Sequence, residues 1–206
     1  MKKIKAIIFD LGAVILNIRY QNTIDAFLKL GVKNASNFYS KEVQDNLFNQ
    51  LEIGNITPNK FLTTLQKKTK NAEITQVLDA WNAMLLELPE NRLTLIKTLK
   101  KEYSIYLLSN TNSLHIDAFK KKIGEVQWEK FTKLFDKMYF SHEIGMRKPD
   151  VAIFQYIIQE QNLNPKEVFF IDDSIQHIKS ANKLGIKTHH LKNKEEITTL
   201  FPDKAQ

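Results

Sequence analysis

The feature that most constrains this chain is a set of short apolar runs that stop at polar residues. Residues 4–9 end at Asp10, residues 105–108 at Ser109-Asn110, and residues 168–171 at Asp172-Asp173. A fourth, weaker run at 186–191 carries His189-His190, and residues 138–140 add a short strand between the second and third runs. Runs of four to six apolar residues bounded by turn formers read as buried strands. Helical patterns fill the intervals. Leu93, Ile96 and Leu99 share one face, and Ile153, Tyr156 and Ile157 another. Residues 175–184 form a helix closed by Gly185 in a left-handed cap, and Asn193 with Glu196 predicts a capping box that opens a last helix. Strands alternating with helices give an α/β fold with a mostly parallel sheet covered on both faces.

Residues 16–88 break the alternation. They read as helices only, at 23–30, 40–51, 58–68 and 74–85, with Thr57-Pro58 as a cap and first-turn signal for the third. The predicted organisation is an α/β core of residues 1–15 and 89–206, with 16–88 inserted as an all-helical cap after the first strand. Such a block lies over the C-terminal edge of the sheet, where open parallel sheets bind ligands.

Composition narrows the function classes. With 206 residues and 43% hydrophobic content, the chain has enough apolar surface for a buried core. It has no cysteine, which excludes disulfides, thiolate metal sites and a thiol nucleophile. The net charge of +7 comes almost wholly from scattered lysine; Lys67-Lys68 and Lys120-Lys121-Lys122 read as solvated helix faces, with no aromatic and arginine interleaving to suggest nucleic acid. Met1-Lys2-Lys3 resembles the start of a signal peptide, but Lys5 and Asp10 interrupt the apolar run behind it. No stretch approaches the ~18 apolar residues of a membrane span. The expectation is a soluble, cytoplasmic protein, monomer or homodimer, with no membrane or nucleic-acid partner.

The chemistry gathers at the strand ends. Asp10, Asp172 and Asp173 would converge at one sheet edge, where three unpaired carboxylates repel one another and are costly to bury. A divalent cation resolves that conflict, and Mg²⁺ favours a few carboxylates together with phosphate oxygens. Lys148, within Gly145-Met146-Arg147-Lys148-Pro149, supplies balancing charge. Ser109, Asn110 and the amides opening the next helix form an anion site.

At these residues the chain resembles the haloacid dehalogenase-like hydrolase superfamily. The four motifs stand in order as Ile8-Phe9-Asp10-Leu11-Gly12, Leu107-Leu108-Ser109-Asn110, Lys148-Pro149 and Phe170-Ile171-Asp172-Asp173-Ser174. Residues 145–150 and 169–185 are particularly similar to its sugar-phosphate phosphatases, including the glucose-1-phosphatase-like branch. The resemblance implies a Rossmann-like core and a Mg²⁺-dependent phosphatase acting on a small phosphorylated metabolite such as a sugar phosphate. It further implies Asp10 as the nucleophile that becomes an aspartyl-phosphate, and Ser109, Asn110 and Lys148 as groups that grip the phosphoryl group. The metal would be held by Asp10, the carbonyl of Gly12 and Asp173. Asp172 would support it through a metal-bound water or pair with Lys148.

One departure stands out. Phosphatases of this superfamily usually carry a second aspartate two residues after the nucleophile, where this chain has Gly12. Loss of a general acid–base group costs ~10²–10⁴ in rate. Water, His142, Glu143 or a cap side chain would have to supply the proton, and good leaving groups would depend on it less. Gly12 also keeps two alternatives open, a haloacid dehalogenase-type hydrolase and a non-catalytic phosphate-binding member. Among other residues, His189-His190 points to opposite faces of a strand and does not chelate. Trp81 and Trp128 read as packing residues, and Asn17, Arg19 and Tyr20 lie where the chain enters the cap.

Overall fold

The computed structural model describes residues 3–33, 35 and 46–204. The five apolar segments are strands: β1 (Ala6–Phe9), β2 (Ser104–Ser109), β3 (Lys137–Phe140), β4 (Val168–Asp172) and β5 (Lys187–His190). They form one parallel sheet in the order β3-β2-β1-β4-β5. Ile8 of β1 stands between Tyr106 of β2 and Phe170 of β4. Strand order grows outward from β1 on one side and from β4 on the other. The switch point, where parallel sheets open a crevice, therefore lies between the ends of β1 and β4.

Alternation along the strands divides the core. Ile7, Phe9, Ile105, Leu107 and Ile171 pack on one face, with Leu93 and Ile96 of α5 (Glu90–Leu99), Phe119 of α6 (Ser113–Ile123) and Phe131 of α7 (Glu125–Thr132). Ile8, Tyr106, Leu108 and Phe170 pack on the other, against Ile153 and Phe154 of α9 (Val151–Glu160) and Ile178 of α10 (Ile175–Asn182). Burial on both faces is why these strands read as unbroken apolar runs. The short helix α8 (Ser141–Ile144) follows β3.

Between β1 and α5 the described elements are helical: α1 (Tyr20–Lys29), α2 (Asn46–Glu52), α3 (Pro58–Gln66) and α4 (Ile74–Asn82). Thr57 caps α3 by accepting from the Lys60 amide at 3.2 Å, with Pro58 in the first turn as expected. The first part of the helix expected at 40–51 lies outside the described residues. These helices have their own core, in which Phe48, Phe61 and Trp81 meet with ring centroids 4.6–5.6 Å apart. The segments that lead into and out of the block run side by side. Asn17 and Glu87 are joined by an amide–carbonyl bond of 3.0 Å, the Leu86 amide donates to the Asn17 carbonyl at 2.9 Å, and the Arg19 amide to that of Met84 at 2.9 Å.

The C-terminal expectation is corrected. In place of a capped helix the chain forms two 3₁₀ turns, Ile197–Leu200 and Pro202–Lys204. Glu196 does not reach back to form a capping box. Its carboxylate accepts from Nε and Nη2 of Arg92 at 2.9 and 2.7 Å, an ion pair across 104 residues that local sequence does not announce. Gly185 does take the left-handed conformation after α10, with φ +79°.

Candidate active site

Four elements deliver the polar residues to the switch point. Asp10 follows β1, and its amide donates to the Ile171 carbonyl at 3.0 Å, so β1 and β4 set its position together. Asp172 ends β4, Ser109 ends β2, and Lys148 arrives on the loop between α8 and α9. Lys148 is fully buried. Its Nζ donates to Asp10 Oδ1 at 2.8 Å, to Asp172 Oδ2 at 2.6 Å and to the Leu108 carbonyl at 2.8 Å. Three acceptors satisfy all three donors of the ammonium. Burial alone would discharge Lys148, but Asp10 and Asp172 keep it charged and raise its pKa.

The two aspartates differ. Asp172 also accepts from the Ser174 amide at 2.7 Å and faces His177 Nδ1 at 3.0 Å. Burial works against its ionisation, yet Lys148 and His177 together hold its carboxyl well below the usual range. Asp10 is pushed up to about 7, by burial first and then by the carboxylates of Asp172 and Asp173, against the pull of Lys148. Oxygens of Asp10, Asp172 and Asp173 all lie within 4.8 Å of one another. Three hard oxygen donors with a single lysine between them suit a divalent cation, which would also return Asp10 to its ionised form. Lys148, Ser174 and His177 all contact the Asp172 carboxylate, while Lys148 alone of these contacts Asp10.

The residues expected to bind an anion stand at the end of β2 and the start of α6. Ser109 is buried at the strand end. The side chain of Asn110 is engaged by the backbone of Lys148, accepting from its amide at 2.9 Å and donating to its carbonyl at 2.8 Å. Asn112 caps α6 by accepting from the His115 amide at 3.1 Å, and Thr111 and His115 on either side of it line the cavity described below.

A cavity of about 430 Å³ lies over Asp10 and Asp173, bounded by Gly12 and Ser109 below and by Phe48, Glu52 and Trp81 of the helical block above. Tyr20 lines it; Asn17 instead donates to Glu87 at 2.7 Å and accepts from Arg92 at 2.9 Å. Trp81 packs among Phe48 and Phe61 as expected, and also reaches the cavity. Trp128 packs on Phe119 and Phe131. His142 and Glu143 do not line the cavity. His189 and His190 part as expected, the first facing Glu195 at 2.9 Å and the second the Asp173 carbonyl at 3.1 Å. Sequence reasoning passed over Glu52 and Arg147, which stand together on the cavity wall.

A crystal structure of a HAD family enzyme from Bacteroides thetaiotaomicron, in complex with magnesium and inorganic phosphate, is 36% identical and superposes with a TM-score of 0.87, covering 96% of this chain and 99% of that one. A predicted HAD-like family hydrolase from Porphyromonas gingivalis is 29% identical with a TM-score of 0.85, covering 98% of both chains. The D-ribitol-5-phosphate phosphatase of Bacteroides thetaiotaomicron is 30% identical over 203 residues, 96% of this chain and 98% of that protein. The family model for the haloacid dehalogenase-like hydrolases matches residues 4–185, a span that contains every residue of the acidic cluster, Ser109 and Lys148, and with that match the chain belongs to the haloacid dehalogenase-like hydrolase family.

Proposed function

We propose that this protein is a magnesium-dependent phosphatase of a small phosphorylated metabolite of the sugar- or polyol-phosphate class, working through an aspartyl-phosphate on Asp10. The observation that carries the reading is the Lys148 ammonium held between Asp10 and Asp172 beside Asp173, at the switch point of the sheet. The similarity to a D-ribitol-5-phosphate phosphatase over nearly the whole of both chains supports the substrate class.

Asp10, the Gly12 carbonyl and Asp173 hold the magnesium, with Asp172 behind them. Bound there, the cation supplies charge neutralisation for the phosphoryl oxygens and keeps the Asp10 carboxylate ionised. Asp10 attacks phosphorus through its carboxylate, while Lys148, Ser109 and the first amides of α6 orient the phosphoryl group and stabilise its spreading charge. Residues 16–88 serve as the cap and 1–15 with 89–206 as the core, so that the cap screens the site from bulk solvent while leaving room for the one water that hydrolyses the aspartyl ester. Among the described residues no helix is long and apolar enough to cross a membrane, and we place the enzyme in the cytoplasm. The two acids beside Asp10 favour this reading over dehalogenase chemistry, which has no use for a divalent cation.

The test is phosphate release from a panel of polyol, sugar, acyl and nucleoside phosphates, with magnesium and with chelator. Magnesium-dependent release from polyol or sugar phosphates is expected. Release of halide from 2-haloacids without phosphate release from any ester would overturn the reading.

A further inference from the structure

We propose that Glu52, at the end of α2 in the cap, is the general acid and base that position 12 lacks. The inference rests on the phosphatase reading above and adds the residue that handles the proton.

Position 12 cannot do the work. Gly12 has an ordinary backbone conformation, and the place where its Cβ would stand is 3.0 Å from Ile18 Cδ1. That atom is the end of a flexible side chain and the next nearest stand at 3.9 Å, so an aspartate could be placed there, but the glycine itself carries no proton. The proton must come from elsewhere on the cavity wall.

The titratable and charged side chains on that wall are Asp10, Tyr20, Glu52, His115, Arg147, Asp173 and His177. Asp10 and Asp173 are committed to the nucleophile and the metal. Arg147 stays charged. His177 faces the Asp172 carboxylate on the far side of the site. His115 lies under the Trp81 ring with centroids 4.7 Å apart, its Nδ1 2.8 Å from Asn82 Oδ1, and burial lowers its pKa to about 3. Burial, with the surrounding carboxylates, pushes the Tyr20 phenol far up. Glu52 remains.

Its setting suits the task. The Glu52 side chain is 16% exposed, and its Oε2 lies 3.0 Å from Arg147 Nη2. Geometry there does not make a hydrogen bond, so Oε2 is a buried carboxylate oxygen with no hydrogen-bond partner. Arg147 is itself held to α2 by Asn49, which accepts from Nη1, so the carboxylate and the guanidinium are fixed together. The charged and titratable groups that face Glu52 are Arg147 and Lys148 of the core and Tyr20 of α1. Burial pushes the Glu52 carboxyl up against the pull of both cations, which raises the share of the acid form near neutral pH.

In the first step the Asp10 carboxylate forms an O–P bond as the substrate's ester P–O bond breaks, and the Glu52 proton passes to the departing oxygen. In the second step the Glu52 carboxylate takes a proton from water as the water oxygen bonds to phosphorus. The Asp10 O–P bond breaks, releasing phosphate and restoring both carboxyl groups.

The experiment compares the native enzyme, Glu52→Gln, Glu52→Asp and the double variant Glu52→Gln/Gly12→Asp, with magnesium, on p-nitrophenyl phosphate and a polyol phosphate. Glu52→Gln is expected to lose ~10²–10⁴-fold in kcat/KM on the polyol phosphate, whose alkoxide needs the proton. On p-nitrophenyl phosphate it is expected to release one equivalent of nitrophenol in a burst and then stall, because water attack on phospho-Asp10 lacks its base. Glu52→Asp should retain part of the activity, and the acid introduced at position 12 should restore at least tenfold to Glu52→Gln. A merely structural Glu52–Arg147 link would give neither the burst nor the rescue. Native enzyme active with Glu52→Gln within threefold of it on the polyol phosphate, or Glu52→Gln slow without a burst, would overturn the role of Glu52 alone. Native enzyme inactive on both esters would overturn the phosphatase reading itself.

Discussion

Asn110 and Lys148 form a reciprocal pair across 38 residues, the amide side chain of the first matching both backbone groups of the second at 2.8 and 2.9 Å. A side chain that mimics a strand partner pins the peptide unit from which the Lys148 ammonium projects toward Asp10. Asn110→Ala should therefore act through lysine placement. A misplacement of about 1 Å in a catalytic group costs ~10²-fold, so kcat is expected to fall by roughly that factor while magnesium affinity changes little. Steady-state kinetics with parallel magnesium calorimetry would check this; unchanged kcat would count against it.

The sheet and its acids were legible because both are local signals. A strand buried on both faces is an unbroken apolar run, and the polar residue that ends it marks the edge where the ligand lies. Asp10, Ser109 and Asp172 could all be found that way. Glu52 could not, since nothing in a helical segment preceding Gly54 says that its last turn overhangs a residue 42 positions earlier. Glu196 misled for the related reason that its partner, Arg92, is remote, and a distant charge outbid the local cap. Helix α6 was expected after Ser109-Asn110 and in its lysine run, although its cap, Asn112, went unread.

Asp10→Asn should separate activity from stability. The carboxamide keeps the shape, loses nucleophilicity and removes one of three crowded carboxylates. Turnover is expected to vanish. Without divalent cation the variant should melt no lower than the native protein, and about 1 kcal/mol of relieved repulsion would raise Tm by ~2–4 °C. Calorimetric melts in chelator, beside phosphate-release assays, would decide the matter; a Tm several degrees below native would show that the repulsion is already balanced.

Gly54 is where the cap touches α8. Its φ is +72°, and an added Cβ would stand 2.4 Å from the His142 carbonyl oxygen, an immovable backbone atom. Left-handed backbone costs a non-glycine residue ~1–2 kcal/mol before any clash. Gly54→Ala is expected to lower stability by about 2 kcal/mol or more, and to lower kcat as Glu52, two residues away, moves off the site. Urea melts with kinetics would test both; a variant with native stability would mean that α8 yields at no cost.

The last prediction concerns acid. His115 is buried beneath Trp81, and burial lowers its pKa from 6.5 to about 3. The unfolded chain takes up a proton below about 6.5 that the folded protein refuses until about 3. The unfolded state therefore binds more protons in that window, and stability falls as pH falls through it, at up to ~1.4 kcal/mol per unit. Above the upper limit the contribution is fully present and constant. His142 and His177 are also lowered by burial and add to the slope, so the native curve alone does not isolate His115. The comparison with His115→Phe does. Phenylalanine keeps the ring against Trp81 but titrates nothing, and loses a constant amount for the missing bond to Asn82. Urea unfolding of both proteins at pH 6.5, 5.8 and 5.0 stays above most carboxylate titration. The native protein should lose up to about 2 kcal/mol more than the variant over that range, by the same linkage. Parallel curves would mean that His115 opens to solvent and takes its proton in the folded state.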